Sequence, residues 1–300
     1  MRYFVFGGAN VDINVMVPTG LKLHDSNIGK ISFSYGGVGR NIAENLARLG
    51  QEVFFVSIFS SDEISQAMFN GLANLGVRLQ FCKITNKPQS SYLNVMNDDN
   101  DLYFGLASME SYDLLTKYDV HNIPFRYDDI FVIDTNFNDD VLEFLFSQEN
   151  RKIVDAISAA KAIKLKKYLD SIYLLKVTPE EGEALTGETD PIKISNALRS
   201  KGVKSVIVSL GEQGLYYQDP SGLFRITHKV VTPVSTNGAG DALLAGFAAK
   251  IDSVFEEQLQ WGVASSLACL ASSSATSKKL NPELVRTTEL ELKIEEIDND

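Results

Sequence analysis

The stretch Ser235-Thr236-Asn237-Gly238-Ala239-Gly240-Asp241-Ala242-Leu243-Leu244-Ala245-Gly246-Phe247 places a glycine-bracketed loop directly before an apolar helix. A helix that begins in this way leaves its first-turn N–H groups unpaired, and glycine lets a ligand approach the backbone closely. Such a terminus suits an anion. Thr236 or Asn237 can equally cap the helix, which accounts for the polar pair without any function. Asp241 is harder to account for. A carboxylate beside a phosphate-binding terminus is electrostatically awkward unless it takes a proton from an attacking hydroxyl or holds a metal. Taken alone, the segment also fits an acid that merely complements the helix dipole.

Upstream of this segment, apolar strands at Ile130 to Ile133, Ile153 to Asp155, Ile172 to Leu175 and Val206 to Leu210 are each followed by a helix-like stretch. Nearer the N-terminus, Tyr3 to Phe6 and Val53 to Phe59 read as strands and Asp62 to Leu75 as a helix. From Val38 the period becomes helical: Val38, Ile42, Leu46 and Leu49 share a face, Arg40, Glu44 and Arg48 lie opposite, and Gly50 closes the helix. Apolar strands alternating with helices indicate a mostly parallel sheet covered on both faces. Two excursions break the rhythm. Ile13 to Val17 and Lys30 to Tyr35 alternate in hydrophobicity, and Ser91 to Met96 and Leu102 to Leu106 flank the polar Asn97-Asp98-Asp99-Asn100-Asp101 as a hairpin. They suit a small β lid, with segments at about 12–35 and 88–107 inserted into one domain of 1–300. The acidic end from Glu289 to Asp300 is expected to fray or form a solvated helix, and no internal repeat is found.

The 300 residues, 44% hydrophobic, suffice for a full core. A net charge of -11 and a pI near 4.9, with no Lys/Arg cluster interleaved with aromatics, argue against a nucleic-acid partner. They do not exclude a small nucleotide, because local amides and a metal bind phosphate whatever the global field. Cys82 and Cys269 make neither a disulfide framework nor a metal-ligand pair, which fits a reducing cytoplasm. Met1-Arg2 runs at once into a strand, leaving no room for a signal peptide, and no apolar run is long enough for a membrane span. His24, His121 and His228 are scattered and read as surface or loop positions.

Five segments, in order, resemble the ribokinase-like (PfkB) carbohydrate kinases. They are Gly8-Ala9-Asn10-Val11-Asp12, Tyr35-Gly36-Gly37-Val38-Gly39-Arg40-Asn41, the stretch from Lys176 to Gly187, Ser209-Leu210-Gly211-Glu212-Gln213-Gly214, and the Gly-Ala-Gly-Asp loop already quoted. The resemblance spans nearly the whole chain. It implies a three-layer α/β/α sandwich with a mostly parallel sheet and a small β lid, and transfer of the ATP γ-phosphate to a sugar hydroxyl. By the same resemblance Asp241 is the general base, with Gly238, Ala239 and Gly240 supplying amides to the developing charge. Asn10, Asp12, Gly36, Gly37, Asn41 and Ser91 would hold the sugar. Thr178, Ser209, Gly211, Gly214, Gly238 and Gly240 would meet the nucleotide, and Glu181 would support Mg2+ through water. Taken singly, each has an ordinary rival. Asp12 and Asn41 suit turns or caps, Gly36 and Gly37 a bend between lid and helix, Glu181 an exposed first-turn acid, and Gly211 and Gly214 a turn between strands. Two residues depart from the family pattern. Thr178 stands where Asn is usual, and Ser235 where an acidic residue is common, in a region where some relatives bind a monovalent cation. K+ is therefore a candidate activator.

Within the family, Asp25 to Gly29, Gly36 to Gly50 and Val154 to Lys161 are most similar to pseudouridine kinases. Many of that group carry an N-terminal winged-helix extension, and its absence here removes a DNA-binding reading. The rivals are another nucleoside, ribose or sugar-acid kinase, and a nucleoside-binding sensor that has lost catalysis; a sensor needs the pocket but not Asp241. A dinucleotide dehydrogenase fails because Gly7-Gly8-Ala9-Asn10 lacks the G-x-G-x-x-G spacing. The expected partners are a small nucleoside or sugar and, through unpaired lid edges, a second copy of the chain.

Overall fold

The structure is a computed structural model that describes residues 1–18, 20–97 and 102–297. The expected hairpin tip from Asp98 to Asp101 lies outside them. The strands are β1 (Arg2–Phe6), β2 (Asn10–Met16), β3 (Lys30–Gly36), β4 (Glu52–Val56), β5 (Ile58–Ser60), β6 (Lys83–Thr85), β7 (Ser91–Met96), β8 (Leu102–Ser108), β9 (Ile130–Asp134), β10 (Arg151–Asp155), β11 (Leu174–Val177), β12 (Ser205–Ser209), β13 (Leu215–Asp219), β14 (Gly222–His228) and β15 (Leu292–Ile297). The large sheet runs β15-β14-β13-β12-β11-β10-β9-β1-β4. From β4 to β12 every pairing is parallel; β13, β14 and β15 continue it antiparallel.

The parallel strands read as continuous apolar runs because both their faces are covered. In β1, Tyr3 and Val5 join one core while Phe4 and Phe6 join the other. The first core takes Ile42 and Leu46 from the helix Val38–Arg48, Leu244 from Ala239–Ala249 and Trp261 from Phe255–Leu270. The second takes Leu142 from Asp139–Ser147, Leu185 from Pro179–Thr186 and Leu198 from Pro191–Ser200. The result is the expected three-layer sandwich. Among the described residues no helix is long and apolar enough to cross a membrane.

A second sheet, in the order β3-β2-β7-β8, is formed by the two excursions. Its register pairs Asp12 with Ser34 and Tyr92, and Asn14 with Ser32 and Asn94, so these residues share one face. The other face carries Ile13, Phe33, Leu93 and Leu106.

Three expectations are corrected. Val53 to Phe59 is not one strand: Ser57 interrupts it, and β5 leaves the large sheet to pair with β6. No α-helix follows β12: a single 3-10 turn, Gly211–Gln213, and Gly214 bring the chain straight back into β13. The acidic end does not fray or form a helix over 292–297. Leu290, Leu292 and Ile294 alternate with charged residues, and this period of two lets β15 pair with β14 while Leu290 and Leu292 pack on the core.

The helix Val38–Arg48 sits against the exit of β1 at a contact between glycine backbones. A Cβ added at Gly39 would lie 2.6 Å from Gly7 Cα, an atom that cannot move aside. Gly39→Ala is therefore expected to lower stability by about 1–3 kcal/mol in urea unfolding, through a shifted helix rather than through helix propensity. A wild-type midpoint would show that the contact tolerates a methyl group.

Candidate active site

The parallel strands all end on one side, and the chain switches direction between β1 and β9, where open α/β sheets form their crevice. Asp134 ends β9 at that point and is 1% exposed. Its Oδ2 accepts from Gly8 N at 2.7 Å, Gly39 N at 3.0 Å and Asn136 Nδ2 at 2.9 Å, and Oδ1 accepts from Asn136 N at 2.9 Å. Burial pushes this carboxyl up from its usual range, and the bonds from Gly8 and Asn136 and the charge of Lys161 oppose the shift. Gly37 precedes the helix at φ 95°, and a Cβ there would strike the Gly8 carbonyl. Helix and β1 exit are thus locked together.

The quoted Gly-Ala-Gly loop does start a helix. Gly238 holds the cap position at φ 77° and ψ 0°, a left-handed conformation natural to glycine, and a Cβ there would also collide with Ala275 O. No side chain caps this terminus, so the capping expected of Thr236 or Asn237 is not made. Asp241 lies in the first turn, 8% exposed, and its Oδ2 accepts from Asn41 Nδ2 at 2.7 Å. Burial, followed by the charge of Asp155, raises its pKa to about 7; the Asn41 bond and Lys176 pull the other way. A carboxylate so placed can accept a proton near neutral pH.

Lys176, one residue from the end of β11, runs beneath this loop: its Nζ would lie 3.1 Å from a Cβ added at Gly240 and is 3.1 Å from Asp155 Oδ2. Burial pulls the ammonium down, but Asp155, Glu181 and Asp241 outweigh it, so Lys176 stays charged. A cavity of about 480 Å³ opens beside it, with Thr178, Ser209, Gly211, Gly214, Ala239 and Gly240 in its wall. These include every residue expected at the nucleotide except Gly238, which sits one residue behind Ala239. Thr178 and Glu181 form a reciprocal cap: Thr178 N donates to Glu181 Oε2 at 2.8 Å and Glu181 N to Thr178 Oγ1 at 3.4 Å. Threonine therefore does the capping at the position where Asn was expected. Among the described residues no group of three or more acids, His or Cys could hold a metal alone. Asp155 and Glu181, both buried, fit outer positions around a magnesium ion already carried on phosphates, as that ion commonly is. Ser235 turns its hydroxyl onto Asn237 N at 3.2 Å.

On the sugar side, Asp12 faces Gly36, where a Cβ would collide with its carboxylate. Burial raises the pKa of Asp12 to about 6, opposed by Arg40. Asn10 Oδ1 accepts from the Tyr112 hydroxyl, whose oxygen also lies 3.1 Å from Ala9 O. Asn41 is committed at both ends: its Oδ1 accepts from Arg40 Nε at 3.2 Å while Nδ2 holds Asp241. Ser91 is a correction. It pairs with Val11, one residue out of step with Asp12, so it lies on the face opposite the predicted sugar ligands; Tyr92 and Asn94 have the right parity. Asp134, Asp155, Lys176 and Arg40 were absent from the expected site. A charged residue at or next to the end of an apolar strand is the signal that marks the first three.

The pfkB family carbohydrate kinase profile matches residues 2–282. The chain is 31% identical to the pseudouridine kinase of Escherichia coli (strain K12) over 81% of its own length and 82% of that protein. It is 27% identical to the guanosine-inosine kinase of Exiguobacterium acetylicum, over 94% and 97% of the two chains. The ribokinase of Arabidopsis thaliana, solved with ribose and ATP, superposes with a TM-score of 0.78 at 22% identity, covering 95% of this chain and 97% of that one.

Asp241→Asn retains the shape of the side chain and a partner for Asn41 but cannot take a proton. Its kcat should fall roughly 10²- to 10⁴-fold with KM little changed. Stability should move the other way. The folded pKa, about 7, is raised above the ordinary aspartate value of 3.8, so the folded chain binds this proton more tightly, and the ionised group costs stability as pH climbs through that window. At pH 8 the variant is expected to melt on the order of 2–5 °C above wild type. Retained kcat would remove Asp241 from the chemistry, and an unchanged Tm would remove the cost assigned to its charge.

Proposed function

The chain belongs to the pfkB family of carbohydrate kinases, an ATP-using group of phosphotransferases with an alcohol acceptor, and on that footing we propose that it phosphorylates the 5'-hydroxyl of pseudouridine. In this reading the small sheet is a lid and Asp12 orients the ribose, its carboxylate packed against Gly36. The 5'-hydroxyl points at Asp241, which takes its proton as the oxygen attacks the γ-phosphorus in line; the bond to the ADP oxygen breaks and the electron pair leaves with ADP. First-turn amides from Gly238 to Asp241 and the Lys176 ammonium face the transferring group, where preorganised donors stabilise developing charge. Magnesium bound to the phosphates would supply further neutralisation, with Glu181 and Asp155 orienting its water.

One observation carries the choice of base. On the inner face of the small sheet, Asn94 Nδ2 donates to Asn14 Oδ1 at 3.2 Å and Asn14 Nδ2 donates to Ser34 Oγ at 3.1 Å. This ladder fixes both amides and leaves Asn94 Oδ1 an acceptor without a partner among the described residues. It lies one step beyond Asp12 towards the sheet tip, where the base of a nucleoside held by Asp12 would fall. Beside it, Tyr92 lies across Gly105, where a Cβ would strike its hydroxyl, so the ring flanks the same space. Pseudouridine carries an N–H on the edge where uridine has a C–H. An acceptor aimed at that edge is satisfied by the first and stranded by the second. The similarity to two nucleoside kinases supports the same substrate class.

The opposite face of the small sheet exposes Ile31 by 65%, Phe33 by 58%, Phe104 by 47% and Leu106 by 62%. We place a second copy of the chain there, face to face. The apolar face, more than the unpaired edges, supports a homodimer.

Two measurements test these readings. Wild type should show kcat/KM for pseudouridine above that for uridine by roughly 10⁴-fold, and Asn94→Ala should erase most of that ratio while sparing turnover. Equal values in wild type would shift the substrate to another nucleoside or sugar, and no turnover of either would do the same. In sedimentation the wild type should run as a dimer and Phe33→Asp as a monomer; a wild-type monomer overturns the assembly.

A further inference from the structure

Arg40 lies in the first turn of the helix Val38–Arg48 and is 4% exposed. A cation there is at the unfavourable end of the helix dipole and out of water, two costs that a solvated lysine or an alanine would avoid. Burial accordingly pulls the guanidinium down from its ordinary range. Glu44 answers part of this, its Oε2 lying 3.3 Å from Arg40 Nη1, but Glu44 Oε1 is also taken by Arg48 at 2.8 Å. What remains of the Arg40 charge faces the active site. The groups around it are Glu44 and Arg48 on its own helix, Asp12 on β2, Asp241 on the helix Ala239–Ala249, and Cys269 on the helix Phe255–Leu270, whose thiol burial pushes up to about 12. Asp241 in turn faces Asp134 and Asp155 from the strand ends, with Lys176 opposing them.

The geometry is a directed chain. Arg40 Nε donates to Asn41 Oδ1, and Asn41 Nδ2 donates to Asp241 Oδ2. An amide can face a carboxyl either way round: its nitrogen favours the ionised acid and its oxygen the protonated one. With the Asn41 oxygen held by a guanidinium, a flip would set NH2 against a cation and oxygen against a carboxylate, so only one orientation survives. We propose that Arg40 is a positioning residue for phosphoryl transfer: through Asn41 it holds Asp241 ionised and ready to accept the proton of the substrate hydroxyl, and its charge lies behind Asp12 as well. The inference rests on Asp241 being the base, and the Asp241→Asn variant reports on that reading separately.

The test is the pH dependence of kcat for wild type, Arg40→Met and Arg40→Lys, with KM for both substrates at each pH. Methionine fills a similar length without charge or donor. Its acid limb should move up by one pH unit or more, so that kcat falls about tenfold at pH 7 and recovers toward wild type by pH 9. KM for ATP should be unchanged. Lysine keeps the charge but loses the planar fork, and its midpoint should lie between the other two. If Arg40→Met does not melt cooperatively, Arg40→Lys carries the test alone: an upward shift supports the chain, and a wild-type midpoint overturns it. A uniform loss of kcat with no displaced midpoint in either variant would also overturn the proposal, since that is what simple loosening of the helix would do.

Discussion

The carboxylate of Asp134 holds the molecule's working end together. It accepts three N–H bonds from Gly8, Gly39 and Asn136 on a single oxygen, and a fourth on the other. Gly8 belongs to the exit of β1, Gly39 to a helix that starts thirty residues later, and Asp134 to a strand almost a hundred residues further on. An ionised acid buried without such donors would cost several kcal/mol. With them, the position of the helix Val38–Arg48 is set, and with the helix come Arg40 and Asn41. Asp241 receives its only side-chain hydrogen bond among the described residues from that helix. Asp241, the proposed base, is therefore placed by way of a carboxylate that is itself 1% exposed and taken up by N–H donors.

The same region concentrates charge to an extent that stability alone would not select. Asp155, Glu181 and Asp241 are all buried within reach of one ammonium, Lys176, and the buried Asp134 lies within reach of another, Lys161. Well-packed apolar residues of similar volume would cost less. The arrangement makes sense if the acids are spaced to keep one of their number at a pKa suited to proton transfer. Asp155 pushes Asp241 up while Lys176 and Asn41 hold it back. Ile157 at φ 66°, unusual for a β-branched residue, donates its N–H to Asp155 Oδ1 at 2.8 Å, so local backbone strain goes into fixing one of these charges.

How much of this was legible in the sequence depended on whether the signal was local. The Gly-Ala-Gly-Asp loop and the helix from Val38 to Gly50 could be read because glycine and helical period act within a few residues. The alternating strands of the small sheet were legible too, but their register was not: Ser91 and Asn94 differ in parity, and which parity faces Asp12 is fixed by pairing with β2, far away in the chain. Asp134, Asp155 and Lys176 each look like an ordinary polar end to an apolar strand; their meaning comes from parallel strands ending side by side. The acidic terminus misled for a different reason. Its charge count concealed a two-residue alternation that becomes decisive only when the edge of β14 is there to receive it.

A chain of net charge -11 that binds the most anionic common cofactor looks at first like a contradiction. It is resolved by distance. Exposed acids more than roughly 8–10 Å from a phosphate are screened by salt, whereas groups lining a buried cleft are not. Within the cleft the balance differs from that of the surface: a helix terminus with no side-chain cap, an ammonium beneath Gly240 and a guanidinium behind Asn41 all face the same space as Asp241. The acids there stand behind or beside these groups, where they tune protonation. The local field can therefore accept a nucleotide's phosphates despite the sign of the surface field. Global charge and local charge are in this sense separate variables, set by different residues and answering to different partners.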